Sequence, residues 1–217
     1  MPQSRLLRAA LLSVLLVAPG SDADAQDAEG NRENSTGKSS AGPVLRFLAG
    51  GFTGLVVHEA GHVVTGLALG AGPGFERLDY GFIPFFAVTH EPVSRGREFV
   101  ISASGFLAQH GANEWLLSRG PPLGASSSAF RKGWLTFNLA TSAVYTVAAF
   151  GKMGPPERDT RGIAVSAGND GVPEPVVGVF ILVPAVLDGV RYAYDDPAWA
   201  RWTSRAVKAG LLLLAVR

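Results

Sequence analysis

The chain contains no cysteine and only four histidines in its 217 residues. The lack of cysteine excludes disulfide scaffolds, thiolate metal sites and cysteine nucleophiles. Any metal bound by the protein must therefore be held by histidine and carboxylate side chains. Charged residues are also scarce, at 17% of the chain, whereas average soluble chains have about 25%. Together with a hydrophobic content of 47%, this leaves either an unusually apolar globule or a membrane protein.

The formal net charge of the chain is only +1. Nucleic-acid-binding proteins usually carry a clear excess of basic residues, so we expect no nucleic acid among the partners. The length allows one ordinary domain or a small membrane bundle, and it excludes a large multi-domain assembly within one chain.

The amino terminus has the pattern of an export signal, in which a basic start is followed by an apolar run and then by small residues. The apolar run, Ala9–Ala18, is too short to span a bilayer, which takes about 20 residues. We therefore predict a signal peptide at residues 1–25, with an uncleaved anchor as the alternative. Residues 26–42 lack large apolar side chains and predict a flexible linker. Residues 43–217 form the predicted membrane-embedded domain.

Apolar segments recur along that domain and predict a mainly α fold, a multi-pass transmembrane bundle of about four to five helices. They are Val44–Leu69, Phe99–Leu117, Trp134–Phe150, Pro175–Val190 and Ala206–Val216. Residues 151–172 form a polar break, and the short apolar stretch between residues 70 and 98 predicts a hairpin strand or a re-entrant loop. Two pairs of glycines spaced four residues apart, Gly50 with Gly54 and Gly66 with Gly70, predict close helix packing in the first segment.

The first apolar segment contains the sequence His58-Glu59-Ala60-Gly61-His62, an HExxH motif. On a helix, residues four apart lie on nearly the same face, so His58 and His62 can place two imidazoles on one zinc ion. Glu59 is then placed to act as the general base toward water. Ionisable side chains inside a membrane helix are costly and usually functional. The structural alternative is a pair of helix-face histidines satisfied by neighbours, with Glu59 paired to an arginine.

An HExxH within an apolar helix, followed by further apolar helices and a lone aspartate, resembles the site-2 protease family of intramembrane zinc metallopeptidases. The resemblance covers roughly residues 44–191. The segment Ser104–Gln109 is similar to the family's Gly-Pro-x-x-Asn motif, with Phe106 in place of proline and Gln109 in place of asparagine. The resemblance implies a zinc cofactor, a substrate-binding role for Gln109, and a later aspartate as the third protein ligand of the metal.

Three aspartates are candidates for that third ligand. Asp159 follows a Gly-Pro-Pro break and resembles the aspartate that begins the corresponding helix in shorter bacterial members of the family. Asp188 lies in a Leu-Asp-Gly sequence deep in an apolar run, where an ion pair with Arg191 is the alternative. Asp170 has the surroundings of a turn residue. We favour Asp159 narrowly over Asp188, with Asp170 third; His110 is a further possible ligand.

The leading functional prediction is a zinc metalloendopeptidase that lies in the lipid bilayer and cleaves transmembrane or membrane-associated protein substrates. An inactive membrane scaffold with the same fold is one alternative, motivated by the imperfect middle motif. A soluble exported zinc hydrolase with an apolar core is the other.

Overall fold

The computed structural model describes residues 41–80, 83–119 and 129–215. Within these ranges the chain is mainly helical, with a single two-stranded antiparallel sheet. The predicted signal peptide at residues 1–25 lies outside the described residues, as does residue 26 to residue 40 of the predicted linker. The last two linker positions belong to the first described helix.

Within these ranges the elements follow one another as six helices interrupted by one hairpin. They are α1 (Ala41–Ala68), β1 (Gly74–Tyr80), β2 (Ile83–Thr89), α2 (Arg95–Ser118), α3 (Ala129–Gly151), α4 (Asp159–Ser166), α5 (Glu174–Ala193) and α6 (Ala198–Ala215).

The mainly α class predicted from the sequence is confirmed, since the described part of every predicted apolar segment is helical. The hairpin prediction is also confirmed, with β1 and β2 paired from Gly74 opposite Thr89 to Tyr80 opposite Ile83. Two details differ. The predicted polar break, residues 151–172, contains the short helix α4. Helix α6 begins at Ala198, before the apolar run that predicted it. Polar residues alternate with apolar ones in these places, so the sequence shows no apolar run there.

Two helices, α1 and α5, are long and apolar enough to cross a membrane by length and composition. Few residues of either helix are buried within the protein: 17% of the most apolar stretch of α1 and 39% of that of α5. The remaining residues of both helices therefore face outward or are half-buried.

Glycines set how closely α1 approaches its neighbours. A Cβ atom at Gly50 would overlap the backbone of Phe130 on α3, and one at Gly54 would lie 2.7 Å from the ring of Phe137. The close packing predicted for this glycine pair is thus confirmed. Gly70 has another role: it adopts a φ of 65° just beyond the end of α1, a conformation that glycine adopts without steric cost.

The interior of the bundle is unusually polar. Five of its largest fully buried side chains carry amide or charged groups, and they are Gln109, Asn113, Asn138, Asp188 and Arg191. Apolar side chains form three smaller buried clusters around them. Since buried polar groups destabilise a fold unless they are hydrogen-bonded, the positions of these five side chains must be set by their hydrogen bonds and ion pairs within the bundle.

A candidate metal centre

The two histidines of the HExxH motif meet an aspartate from another part of the chain. His58 and His62 lie on one face of α1, and Asp159 is the first residue of α4. The Nε2 atom of His58 lies 3.1 Å from Oδ2 of Asp159 and 3.3 Å from Nε2 of His62. Nε2 of His62 lies 3.3 Å from the same Asp159 oxygen. Three potential metal ligands thus converge on one point, and they include the aspartate that the sequence narrowly favoured.

The protonation of His62 follows from its contact with the backbone. Its Nδ1 atom lies 2.8 Å from the carbonyl oxygen of Ile101, and a carbonyl oxygen can only accept a hydrogen bond. Nδ1–H therefore donates to Ile101, and in the neutral ring Nε2 carries a lone pair. This lone pair points toward His58 and Asp159, as a metal ligand requires.

The donor set fits zinc by both chemistry and spacing. Imidazole nitrogen and carboxylate oxygen are common zinc ligands, and catalytic sites use three protein ligands with one position left open. Zinc–ligand bonds of about 2.0–2.1 Å at tetrahedral angles place neighbouring ligand atoms about 3.3 Å apart. The three separations of 3.1 to 3.3 Å match that spacing. Three unprotonated atoms this close in an apolar interior repel one another, so either a metal ion or a proton must lie between them.

A salt bridge next to Asp159 fixes the start of α4. The guanidinium group of Arg158 donates to both carboxylate oxygens of Glu174, at 2.7 and 2.6 Å. The hydroxyl of Thr160 donates to the same carboxylate at 2.6 Å. Because the residues on either side of Asp159 are both tied to the start of α5, the Asp159 side chain is directed toward α1.

The electrostatic surroundings of Asp159 favour its ionised form. Desolvation by burial would raise its pKa, but when the histidines are protonated, the charge of His62 and the hydrogen bonds from both Nε2 atoms outweigh that effect and hold the pKa well below its ordinary value. An ionised carboxylate is the form that ligates a metal.

Helix α2 passes directly over the histidines, and two glycines allow the contact. A Cβ atom at Gly105 would overlap Nε2 of His62 and lie 2.7 Å from Nε2 of His58. A Cβ atom at Gly61 would lie 2.6 Å from the carbonyl oxygen of Ser104. The Ser104–Gln109 segment that the sequence singled out therefore packs against the metal-facing atoms, and Gly105 leaves space beside them.

Glu59 is adjacent to the candidate ligands but is not one of them. Among the described residues its carboxylate has no hydrogen-bond or ion-pair partner, and the side chain is only half-buried. It interacts electrostatically with His58, His62 and Asp159. The arginine partner considered as a structural alternative is therefore absent from the described part of the chain, and the carboxylate is free to accept a proton.

Two aromatic residues complete the surroundings of His58. The ring of Phe106 meets it edge-on, with centroids 5.1 Å apart, and also contacts the ring of Tyr145 at 5.0 Å. Tyr145 interacts electrostatically with Asp159. Sequence reasoning did not identify Tyr145, although a lone phenol in the apolar Trp134–Phe150 segment was a usable signal, because buried phenols usually seek a hydrogen-bond partner.

The remaining candidates lie away from the three ligands. Asp188 is fully buried among Asn113, Ser204 and Lys208, and Asp170 is exposed in a turn. His110 lines a cavity of about 180 Å³ between α2 and α6.

Gln109 does lie at the site, but its amide contacts His58. It is fully buried, so its predicted role in binding substrate stays a prediction.

Comparisons of the chain with protein-family models, curated proteins and solved structures find no match.

The third ligand can be tested by substituting the aspartates one at a time. We expect Asp159→Ala to weaken zinc binding at least about tenfold, because it removes a ligand. Asp188→Asn and Asp170→Ala should keep stoichiometric zinc, since neither side chain reaches the histidines. The measurement is elemental analysis of the purified full-length chain, with circular dichroism as the check on folding. Retention of full zinc content by Asp159→Ala would contradict the assignment.

The space beside the histidines can be tested on α2 with a matched pair of glycines. We expect Gly105→Ala to lower zinc content sharply, because the new methyl group overlaps the Nε2 atoms of both histidines. Gly96→Ala on the same helix has open space around it and should bind zinc as the wild type does. Zinc titration of both variants gives the comparison, and equal affinities would show that α2 does not approach the ligands this closely.

Proposed function

We propose that this protein is a zinc-dependent intramembrane endopeptidase built as a multi-pass helical bundle. The proposal is carried by one observation: His58, His62 and Asp159 bring two imidazole nitrogens and a carboxylate oxygen within 3.3 Å of one another. The glutamate of the same HExxH motif lies beside them with its carboxylate free. This is the residue set that peptide-bond hydrolysis by a zinc enzyme requires.

Each side chain has a distinct role in the proposed reaction. His58, His62 and Asp159 would hold a zinc ion, which would polarise the scissile carbonyl and lower the pKa of water. Glu59 accepts the proton of the attacking water and then delivers it to the leaving amine, as a general base that becomes a general acid. Phe106 and Tyr145 line the site on the side of His58 and limit the access of bulk water.

The distribution of polar and apolar side chains supports a location in the bilayer. Polar and charged residues fill the interior, whereas large apolar residues are exposed along the outer faces of α1, α3 and α5. On α1 the exposed apolar residues include Val44, Leu45, Phe47, Leu48, Phe52 and Val56. Soluble monomers rarely expose contiguous apolar areas of this kind. In lipid such faces need no cover, and substrates reach the site as membrane-associated polypeptides.

A soluble exported zinc hydrolase is the second candidate. It is favoured by the finding that, among the described helices, only α1 and α5 meet the length and hydropathy needed to span a membrane. The same finding is consistent with a helical bundle that enters the bilayer only partly or lies on its surface.

Extraction of membranes separates the two candidates. A chain that exposes apolar faces to lipid should stay in the membrane fraction after washing with sodium carbonate at high pH, and detergent should release it. Neither high salt nor high pH weakens the hydrophobic contact that holds it. Release of the full-length chain by carbonate or high salt would support the soluble hydrolase.

The chemistry is tested by replacing the proposed base with its isosteric amide. We expect Glu59→Gln to keep stoichiometric zinc and to lose cleavage by about 10²- to 10⁴-fold, the contribution usual for general acid–base catalysis. Cleavage is measured on a panel of single-span transmembrane peptides in detergent micelles. Zinc content is measured on the same preparation.

The matched control is Glu91→Gln, which changes an exposed glutamate in the connection between β2 and α2 and should cleave as the wild type does. Full activity of Glu59→Gln would overturn the proposed role of Glu59. A zinc-bound wild type without chelator-sensitive cleavage of any peptide in the panel would favour the inactive scaffold.

A further inference from the structure

The side-chain amide of Gln109 connects the candidate metal ligand His58 to helix α3. Its oxygen Oε1 lies 3.2 Å from Nδ1 of His58, the ring nitrogen that faces away from Asp159. Its nitrogen Nε2 donates to the backbone carbonyl of Asn138 and to the hydroxyl of Ser142, both at 2.7 Å. All three groups are buried, so water cannot take over their hydrogen bonds.

The surroundings allow only one orientation of this amide. The carbonyl oxygen of Asn138 can only accept, and the hydroxyl of Ser142 donates to that same carbonyl at 3.0 Å. Ser142 therefore also accepts from Gln109. Rotating the amide by 180° would place its oxygen against the Asn138 carbonyl oxygen, so that this bond would be lost and two acceptors would face each other. The amide oxygen must therefore face His58.

The oriented amide in turn determines the tautomer of His58. An amide oxygen accepts, so Nδ1 of His58 must carry the hydrogen and donate it. The lone pair of the neutral ring is then on Nε2, directed at His62 and Asp159. His62 reaches the same state through the backbone carbonyl of Ile101. Both neutral imidazoles therefore carry their hydrogen on Nδ1. A backbone carbonyl fixes this tautomer in His62, and the side chain of Gln109 fixes it in His58.

The network continues beyond Gln109 to a buried charge. The side-chain nitrogen of Asn138 donates to Asn113 at 2.7 Å, and Asn113 donates to Asp188 at 2.9 Å. Asp188 also accepts from Ser204 and from Lys208, each at 2.7 Å. A carboxylate accepts only, so it fixes the direction of each amide in this series. This chain of contacts holds α2, α3, α5 and α6 in register behind His58.

We propose that Gln109, held by Asn138 and Ser142, is a positioning residue that fixes the Nδ1–H tautomer of His58 and presents Nε2 to the metal. This inference rests on the proposed zinc site. It assigns Gln109 a function different from contact with substrate, because both amide hydrogens and the oxygen are engaged inside the bundle. Partners of this kind around metal-bound histidines typically contribute about 10- to 100-fold in metal affinity.

The experiment is ¹⁵N NMR of the histidine rings in the full-length chain in detergent micelles, after zinc removal by a chelator. At a pH high enough for both rings to be neutral, we expect His58 and His62 of the wild type to show a protonated Nδ1 and an unprotonated Nε2. Gln109→Met removes the acceptor with little change of volume, so His58 should become a mixture of tautomers. His62 should stay unchanged, because its partner belongs to the backbone of Ile101. Zinc affinity should fall by about 10- to 100-fold.

His62 is therefore the control within the same molecule. Gln109→Asn keeps the amide but shortens the side chain by one methylene, and it should reproduce the change at His58 even if Gln109→Met fails to fold. An unchanged His58 tautomer in either folded variant would overturn the proposal. So would equal changes at both histidines, which indicate a general structural role. Since the ring signals are read without metal or substrate, a failure of the proposed peptidase activity leaves this result intact.

Discussion

Two imidazoles and a carboxylate that direct their lone pairs at one point repel one another, and in an apolar interior that repulsion is weakly screened. The arrangement at His58, His62 and Asp159 is stable only with a metal ion or a proton between these atoms and a hydrogen-bond partner behind each imidazole. Ile101 provides the partner for one imidazole and Gln109 for the other. The polar interior of the bundle follows from this requirement, since each buried partner needs a further partner of its own.

The same requirement explains where the glycines lie. Groups on α2 and α3 can hold the candidate ligands of α1 in place only if the backbones of these helices come close to α1. A side chain at the crossing point would hold the helices apart. Gly61 and Gly105 allow this approach on one side of α1, and Gly50 and Gly54 on the other. Glycine in a helix costs about 1 kcal/mol relative to alanine. Here the cost is offset by contacts that no larger residue at these positions permits.

The sequence predicted the local features well, because they depend on residues close together in the chain. Apolar runs predicted the helices, and the spacing of His58 and His62 predicted two candidate ligands on one helical face. The third ligand was harder, since Asp159 and Asp188 lie in equally suggestive local sequences. The choice between them depends on the salt bridge between Arg158 and Glu174, which turns the start of α4 toward α1. No pattern within one segment contains that information.

Gln109 is a second case in which the sequence identified a residue but not its contacts. Its place in a motif-like segment was identified from the sequence, yet its partners come from a carbonyl and a hydroxyl on α3 that have no distinctive sequence pattern. To bind a substrate backbone, Gln109 would have to release Asn138 or Ser142 and leave a buried group unpaired, which costs about 1–3 kcal/mol. A hydrogen bond to the substrate carbonyl is therefore better supplied by a donor that is not already engaged on both sides. The buried amide is therefore better suited to holding the His58 ring in place than to binding a substrate.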